Sequence, residues 1–179
     1  MKAHLRPALV ILTALSLTAV TVACATSSRQ ALPKVICGTR IDPDLTRRLV
    51  APGNTLHEFN RVDRSEAVAA PCVLLWGKDP VIKLHFWWAD GPANLRYMAE
   101  ETGSVSRVTD AREINFKYET LVGTDGAVAA ARCKTKTGDH FALTLQLPQI
   151  EPTDQSHRKD IEKFMRAYFP ATVKTLGCA

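Results

Sequence analysis

Seventeen consecutive residues, Pro7 to Ala23, carry no charge, and most of them are Leu, Val, Ala and Ile. Lys2 and Arg6 precede the run, so the layout is that of a secretory signal: a short basic stretch followed by an apolar one. The run is at the low end of what spans a bilayer, which keeps an uncleaved anchor as the lesser alternative. It also divides the chain before any fold is considered. An address of 23 residues leaves 156 of the 179 to fold, which is room for one domain. With 46% hydrophobic and 23% charged residues, the chain is neither a disordered polymer, nor a collagen-like repeat, nor a polytopic membrane protein.

The end of the run narrows the reading. Thr21-Val22-Ala23-Cys24 resembles the lipobox of bacterial lipoproteins, with Thr21 where Leu is most common. In that motif small residues precede a cysteine that is diacylated and becomes the new N-terminus. The resemblance implies lipidation of Cys24, a partner in the membrane itself, and residence on the outer face of the cytoplasmic membrane. The competing reading is an A-x-A cleavage site, Ala23-Cys24-Ala25, which would discard Cys24 and release a soluble secreted protein. Residues 24–34 are polar and read as a flexible tether, leaving 35–179 as a single globular domain.

Removal of residues 1–23 takes Lys2 and Arg6 and no acidic residue, so the formal charge falls from +5 to +3. No basic run is longer than Arg47-Arg48 and no nucleic-acid motif occurs, so nucleic acid is not an expected partner. With Cys24 assigned, four cysteines remain: Cys37, Cys72, Cys133 and Cys178. An even count outside the cytoplasm predicts two disulfides, for which three connectivities exist. Cys37 with Cys72 and Cys133 with Cys178 is favoured, because each pair ties a terminal segment to an expected strand. A thiolate metal site is unattractive, since no C-x-x-C pair occurs and no His lies within four residues of a mature Cys.

Along the mature chain, Asp42-Pro43-Asp44 opens a helix that Pro52-Gly53 ends. Leu56 to Arg61 is a weak strand, Asp63 to Glu66 a polar loop and Cys72 to Trp76 a buried strand. Gly77 to Pro80 turns the chain into Val81 to Ala89, where Ile82, Leu84, Phe86 and Trp88 alternate with Lys83, His85 and Trp87. Gly91-Pro92 leads into a helix that Gly103 closes. Ile114, Phe116 and Tyr118 alternate as a further strand, and Thr124-Asp125-Gly126 turns into an alanine-rich strand, Val128 to Lys134. Its small side chains predict an element packed close against it. His140 to Leu147 alternates strictly, and a last amphipathic helix starts at Thr153 or Asp154, with Pro170 expected to kink or interrupt it near Phe169. The fold class is α+β: an antiparallel sheet of about five or six strands with helices packed on it.

Motifs of chemistry are absent from the sequence: no G-x-S-x-G, no G-x-G-x-x-G, no P-loop and no H-E-x-x-H. His57, His85, His140 and His157 fall on polar faces or loop ends, and Glu100-Glu101 and the pair Asp110 with Glu113 read as solvated. No catalytic residue, metal site or cofactor is therefore assigned. Lys83, His85 and Trp87, with Trp76 on the hairpin partner, form the best candidate binding surface; the alternative is that Trp87 packs beneath a helix.

Cys37-Gly38 before a short helix, Pro71-Cys72 opening a strand, Cys133 in an alanine-rich strand and Gly177-Cys178 after a basic helix give a layout similar to small secreted lipoproteins of actinobacteria. The order of elements is loosely similar to the DUF3558 and LpqN-type lipoproteins, whose fold is a PsbP/Mog1-like α/β/α sandwich. The resemblance implies that fold and carries over no catalytic residue. The expected function is a lipid-anchored, non-catalytic binding or interaction module of the cell envelope, its ligand or protein partner unassigned. The alternative is an envelope hydrolase that gathers His85 or His140 with Glu113 or Glu119 in a polar pocket.

Overall fold

A computed structural model describes residues 32–50, 55–61, 69–100 and 107–178. The expected signal segment, Cys24, the tether up to residue 31, the 52–53 helix end, the 63–66 loop and the Gly103 stop lie outside them. Among the described residues no helix is long and apolar enough to cross a membrane.

Seven strands form one antiparallel sheet in the order β3-β4-β5-β9-β8-β7-β6. They are β3 (Leu56–Asn60), β4 (Ala69–Trp76), β5 (Asp79–Ala89), β6 (Arg112–Glu113), β7 (Glu119–Val122), β8 (Gly126–Thr135) and β9 (Gly138–Gln146). A separate two-stranded hairpin, β1 (Val35–Ile36) with β2 (Thr39–Arg40), precedes α1 (Pro43–Leu49). α2 (Leu95–Glu100) follows β5, and α3 (Arg158–Thr175) ends the fold. The class is α+β as the sequence predicts, with more strands than expected because β1, β2 and β6 are only two residues each.

Alternation decides which side chains meet which helices. Ile82, Leu84, Phe86 and Trp88 of β5, Ala127, Ala129, Ala131 and Cys133 of β8, and Phe141, Leu143 and Leu145 of β9 face α1 and α3 in the main core. The intervening residues face the other way, where Leu95 and Ala99 of α2 pack with Val108, Leu121, Val128, Ala130 and Ala142. The sheet thus has helices on both sides. The alanine run of β8 follows from this, since α2 and α3 both pack on that strand. Gly126 extends the same logic, because a Cβ there would stand 2.3 Å from the Leu145 carbonyl oxygen and 3.2 Å from the Val108 side chain.

Two elements differ from expectation. Residues 114–118 form the loop of the β6–β7 hairpin rather than a strand. Their burial still alternates, because Ile114 and Tyr118 turn onto the main core while Asn115 and Lys117 stay in solvent. Tyr118 meets Phe169 edge-on at 5.1 Å, and the Arg166 guanidinium donates to the Asn115 carbonyl at 2.8 Å, so α3 holds this loop instead of a neighbouring strand. The second is Pro170: of the kink or interruption expected there, the interruption does not occur, since α3 runs through it. A proline there lacks the N–H that would bond the Arg166 carbonyl, and Arg166 is exposed, so water can take up that carbonyl. The helix continues because Tyr168, Phe169, Thr172 and Val173 on either side of Pro170 are all buried against the sheet.

Both disulfides pair as favoured: Cys37 with Cys72 and Cys133 with Cys178. Such bonds belong to a chain that folds in an oxidising, extracytoplasmic environment.

Candidate functional site

An open cleft of about 360 Å³ lies on the α2 side of the sheet, ahead of the helix. Pro92, Ala93 and Ala130 line it, Lys117, Glu119, Arg132 and His140 form its charged rim, and Ala131 and Tyr118, whose side chains belong to the main core, border it. The rim follows from strand register. Glu119 of β7 stands opposite Ala130 of β8, and Arg132 of β8 stands opposite His140 of β9. Three adjacent strands therefore present an acid, a guanidinium and an imidazole side by side, with Glu119 and Arg132 on a diagonal of about 7 Å. Neither Glu119 nor Arg132 has a hydrogen bond or ion pair among the described residues, which leaves both available to a ligand.

His140 is held from behind. Its Nδ1 lies 2.6 Å from Oδ1 of Asp139, the same oxygen that accepts the Gly91 amide N–H at 2.6 Å. The Gly91 N–H, and after it His140, pull the Asp139 carboxyl below the usual carboxylate range. That carboxylate thus ties the lead-in to α2 to the β9 end of the cleft. Two smaller hollows border α2: one of about 270 Å³ that shares Glu119 and adds Glu113 and Arg96, and one of about 190 Å³ beside Arg107 and Asp110.

Asp110 itself is structural. Its backbone is left-handed at φ 49°, and its carboxylate is held low by hydrogen bonds from Arg112 and then Gln155, with Arg158 pairing at 2.8 Å. Asp125 is buried in the β7–β8 turn and accepts from the Thr109 amide at 2.7 Å and the Thr109 hydroxyl at 2.9 Å. Together these bonds pin residues 109–110 over the turn and fix the wall that α2 leans on.

Lys83, His85 and Trp87 share the α2 side of the sheet, and none of them lines the cleft. Trp87, opposite Ala142, packs against the α2 cluster, so it takes the packing role. Lys83 and His85 are half-buried farther along the strand, opposite Gln146 and Thr144. Trp76 packs on the main core, on the other side of the sheet. Burial holds the His85 imidazole below its ordinary 6.5. The unfolded chain then binds more protons than the folded one in the window below about 6.5, so stability conferred by this site is present above that pH and is lost as pH falls through it. His85→Gln should flatten the unfolding midpoint between about pH 7.5 and 5.5 relative to the parent. A variant with the parent slope would assign the acid sensitivity to another histidine.

Of the acids and histidines considered for an enzyme, the structure brings His140 and Glu119 to one cleft and puts Glu113 in the hollow beside it. His85 is elsewhere, and His57 and His157 line neither. Arg132 and Lys117 escaped the sequence reading; the available signal was a single Arg ending the run Ala129-Ala130-Ala131. The only described grouping with metal-ligand types is Cys37, Glu58 and Cys72, whose ligand atoms lie within 4.8 Å of one another. Its two sulfurs are bonded to each other, and Glu58 Oε2 accepts the Cys37 amide at 2.8 Å, so the carboxylate supports the disulfide turn. No protein-family model, no curated protein and no solved structure matches the chain.

Proposed function

We propose that this protein is a lipid-anchored binding module on the outer face of the cytoplasmic membrane, taking its ligand in the cleft ahead of α2. The observation that supports it most is the cleft's composition: Pro92, Ala93 and Ala130 on its surface, with the side chains of Arg132 and Glu119 unpaired at its rim among the described residues. A pocket lined with apolar groups and a few polar ones that fix orientation is the usual form of a ligand site. An unpaired guanidinium beside an unpaired carboxylate suits a ligand carrying both signs of charge. The anchor rests on the lipobox-like Thr21-Val22-Ala23-Cys24, and the two disulfides agree with an extracytoplasmic location.

The test is capture of binding partners from envelope extract, comparing the parent with Glu119→Lys/Arg132→Glu, both exposed at the rim. A partner retained by the parent and lost at least tenfold by the variant supports the cleft; equal retention by both moves binding elsewhere. The His140–Asp139 contact beside Glu119 supports a second reading, hydrolysis by a water that Glu119 or His140 activates. Turnover of ester, peptide or glycoside probes by the parent, lost in both Glu119→Gln and His140→Ala, would replace binding with catalysis.

A further inference from the structure

Charge is not spread evenly over the domain. Residues 32–50 and 157–178, which build the β1–β2 hairpin, α1 and α3, contain nine Lys and Arg against four Asp and Glu. The described residues of the sheet, α2 and their connections, 55–61, 69–100 and 107–156, contain ten against eleven. Among the described residues the charge is therefore a +5 helical layer on one side of a −1 remainder.

Part of that positive charge is unpaired and gathered where the tether arrives. Lys34, Arg40 and Lys174 are exposed, and none has an ion pair or side-chain hydrogen bond among the described residues. The Lys34 carbonyl accepts the Ile41 amide at 2.9 Å, which sets Lys34 opposite Ile41 at the open end of the hairpin, one register position from the Val35–Arg40 pair. Thr39 and Thr172 touch through their hydroxyls at 3.0 Å, which brings the last turns of α3, and Lys174 with them, against the same hairpin. By contrast Arg47, Arg48, Lys163 and Arg166 on the same layer all have acidic partners.

We propose that this basic helical layer docks on the surface of an anionic lipid bilayer, led by Lys34, Arg40 and Lys174, and that docking turns the cleft away from the membrane. The inference rests on the anchored reading given above. From Cys24 to Lys34 the tether has ten residues. Fully extended it spans roughly 35 Å, and as a flexible coil about 18 Å. The hairpin is thus kept within reach of the lipid surface, and a cation that comes within about one Debye length of it is attracted to anionic headgroups. A diacylated cysteine already gives stable membrane residence, so the basic layer sets the orientation of the domain on the surface. The cleft lies on the α2 side of the sheet, opposite α1 and α3, so this orientation leaves it open to the extracytoplasmic space.

The test separates the patch from the lipid. Both core clusters and both disulfides lie within residues 32–178, so residues 25–179, which carry no lipid, keep every contact that holds the fold. This form should sediment with vesicles of phosphatidylcholine containing about 30% phosphatidylglycerol, should not sediment with phosphatidylcholine alone, and should be released by about 0.5 M salt. Lys34→Gln/Arg40→Gln/Lys174→Gln should weaken binding about tenfold or more, while Lys78→Gln/Arg96→Gln/Arg107→Gln, exposed cations away from α3 with the last two beside α2, should stay within about twofold. Failure to bind the anionic vesicles, equal binding to both vesicle types, or equal loss in the two triple variants would overturn the docking. In the full chain, Cys24→Ala tests the anchor by itself: release from the membrane fraction keeps the anchored reading even if docking fails, and undiminished membrane retention overturns the lipid anchor on which the docking rests.

Discussion

Phe141→Ala should destabilise the protein by about 4 kcal/mol, the middle of the range for removing a large buried aromatic, and lower its melting temperature by roughly 10 °C. Phe141 is fully buried on β9 at the centre of the main core. Its ring centroid lies 5.9 Å from Phe86, 5.4 Å from Trp88 and 5.7 Å from Phe169, the last nearly parallel at 9°. Phe86 and Trp88 come from the neighbouring strand and Phe169 from α3, so one ring joins two strands to the helix that covers them. Truncation would leave a void lined by three rings whose own backbones are fixed by the sheet and the helix, and such a site collapses poorly. Phe141→Leu keeps most of the volume and should cost about 1 to 1.5 kcal/mol. Denaturant unfolding measures both. A loss below about 1 kcal/mol for the alanine variant would mean that the rings do not share a packed centre.

The same array shows why much of the fold was legible in the sequence. Ile82, Leu84, Phe86 and Trp88 alternate without a break, as do Phe141, Leu143, Leu145 and Leu147, and a period of two leaves one burial pattern available. The helix after Asp42 was equally clear, because its Asp42 carboxylate caps the Asp44 amide at 2.9 Å as the residue types predict. The failures have a common cause. Ile114, Phe116 and Tyr118 alternate too, but what buries Tyr118 is Phe169 of α3, a tertiary contact that no local period reports. Pro170 carries a strong local signal to interrupt, and the burial of Phe169, Thr172 and Val173 overrides it.

The cleft was less legible for a related reason. Its rim draws on β7, β8 and β9 through cross-strand register, so Glu119, Arg132 and His140 are separated in sequence by 13 and 8 positions and share no motif. His140 and Glu119 stand in the sequence as two of four dispersed candidates, with His85 and Glu113, and Lys83, His85 and Trp87 suggest a binding surface because a Trp opposite an apolar stripe invites one. Packing of α2 on Trp87 depends on where a six-residue helix lands, which periodicity does not encode.

Cys37→Ala/Cys72→Ala should lose about 4 kcal/mol, the chain-entropy value for a closed loop of this size, reduced by any structure in the unfolded chain. The bond closes a sequence separation of 35 and both cysteines are fully buried. Cys37 and Gly38 form the two-residue loop between β1 and β2, with φ of 49° and 74°. Positive φ at both positions is the geometry that suits a tight hairpin and disfavours a side-chain-bearing residue at the first of them. The hairpin in turn accepts the Tyr168 hydroxyl at the Ile36 carbonyl, 3.0 Å away, and its Thr39 hydroxyl donates to Thr172, whose own hydroxyl donates to the Tyr168 carbonyl. Without the covalent bond, the left-handed cost at position 37 is no longer held in place, and the hairpin can detach from α3 together with those two hydrogen bonds. This makes a sharper comparison possible. Cys37→Gly/Cys72→Ala lacks the same bond but has a residue that adopts positive φ readily, so it should be more stable than the double-alanine variant by about 1 kcal/mol. Equal stability of the two variants would show that the turn relaxes once the bond is gone, and a loss below about 1 kcal/mol in both would show that packing alone holds the hairpin on α3.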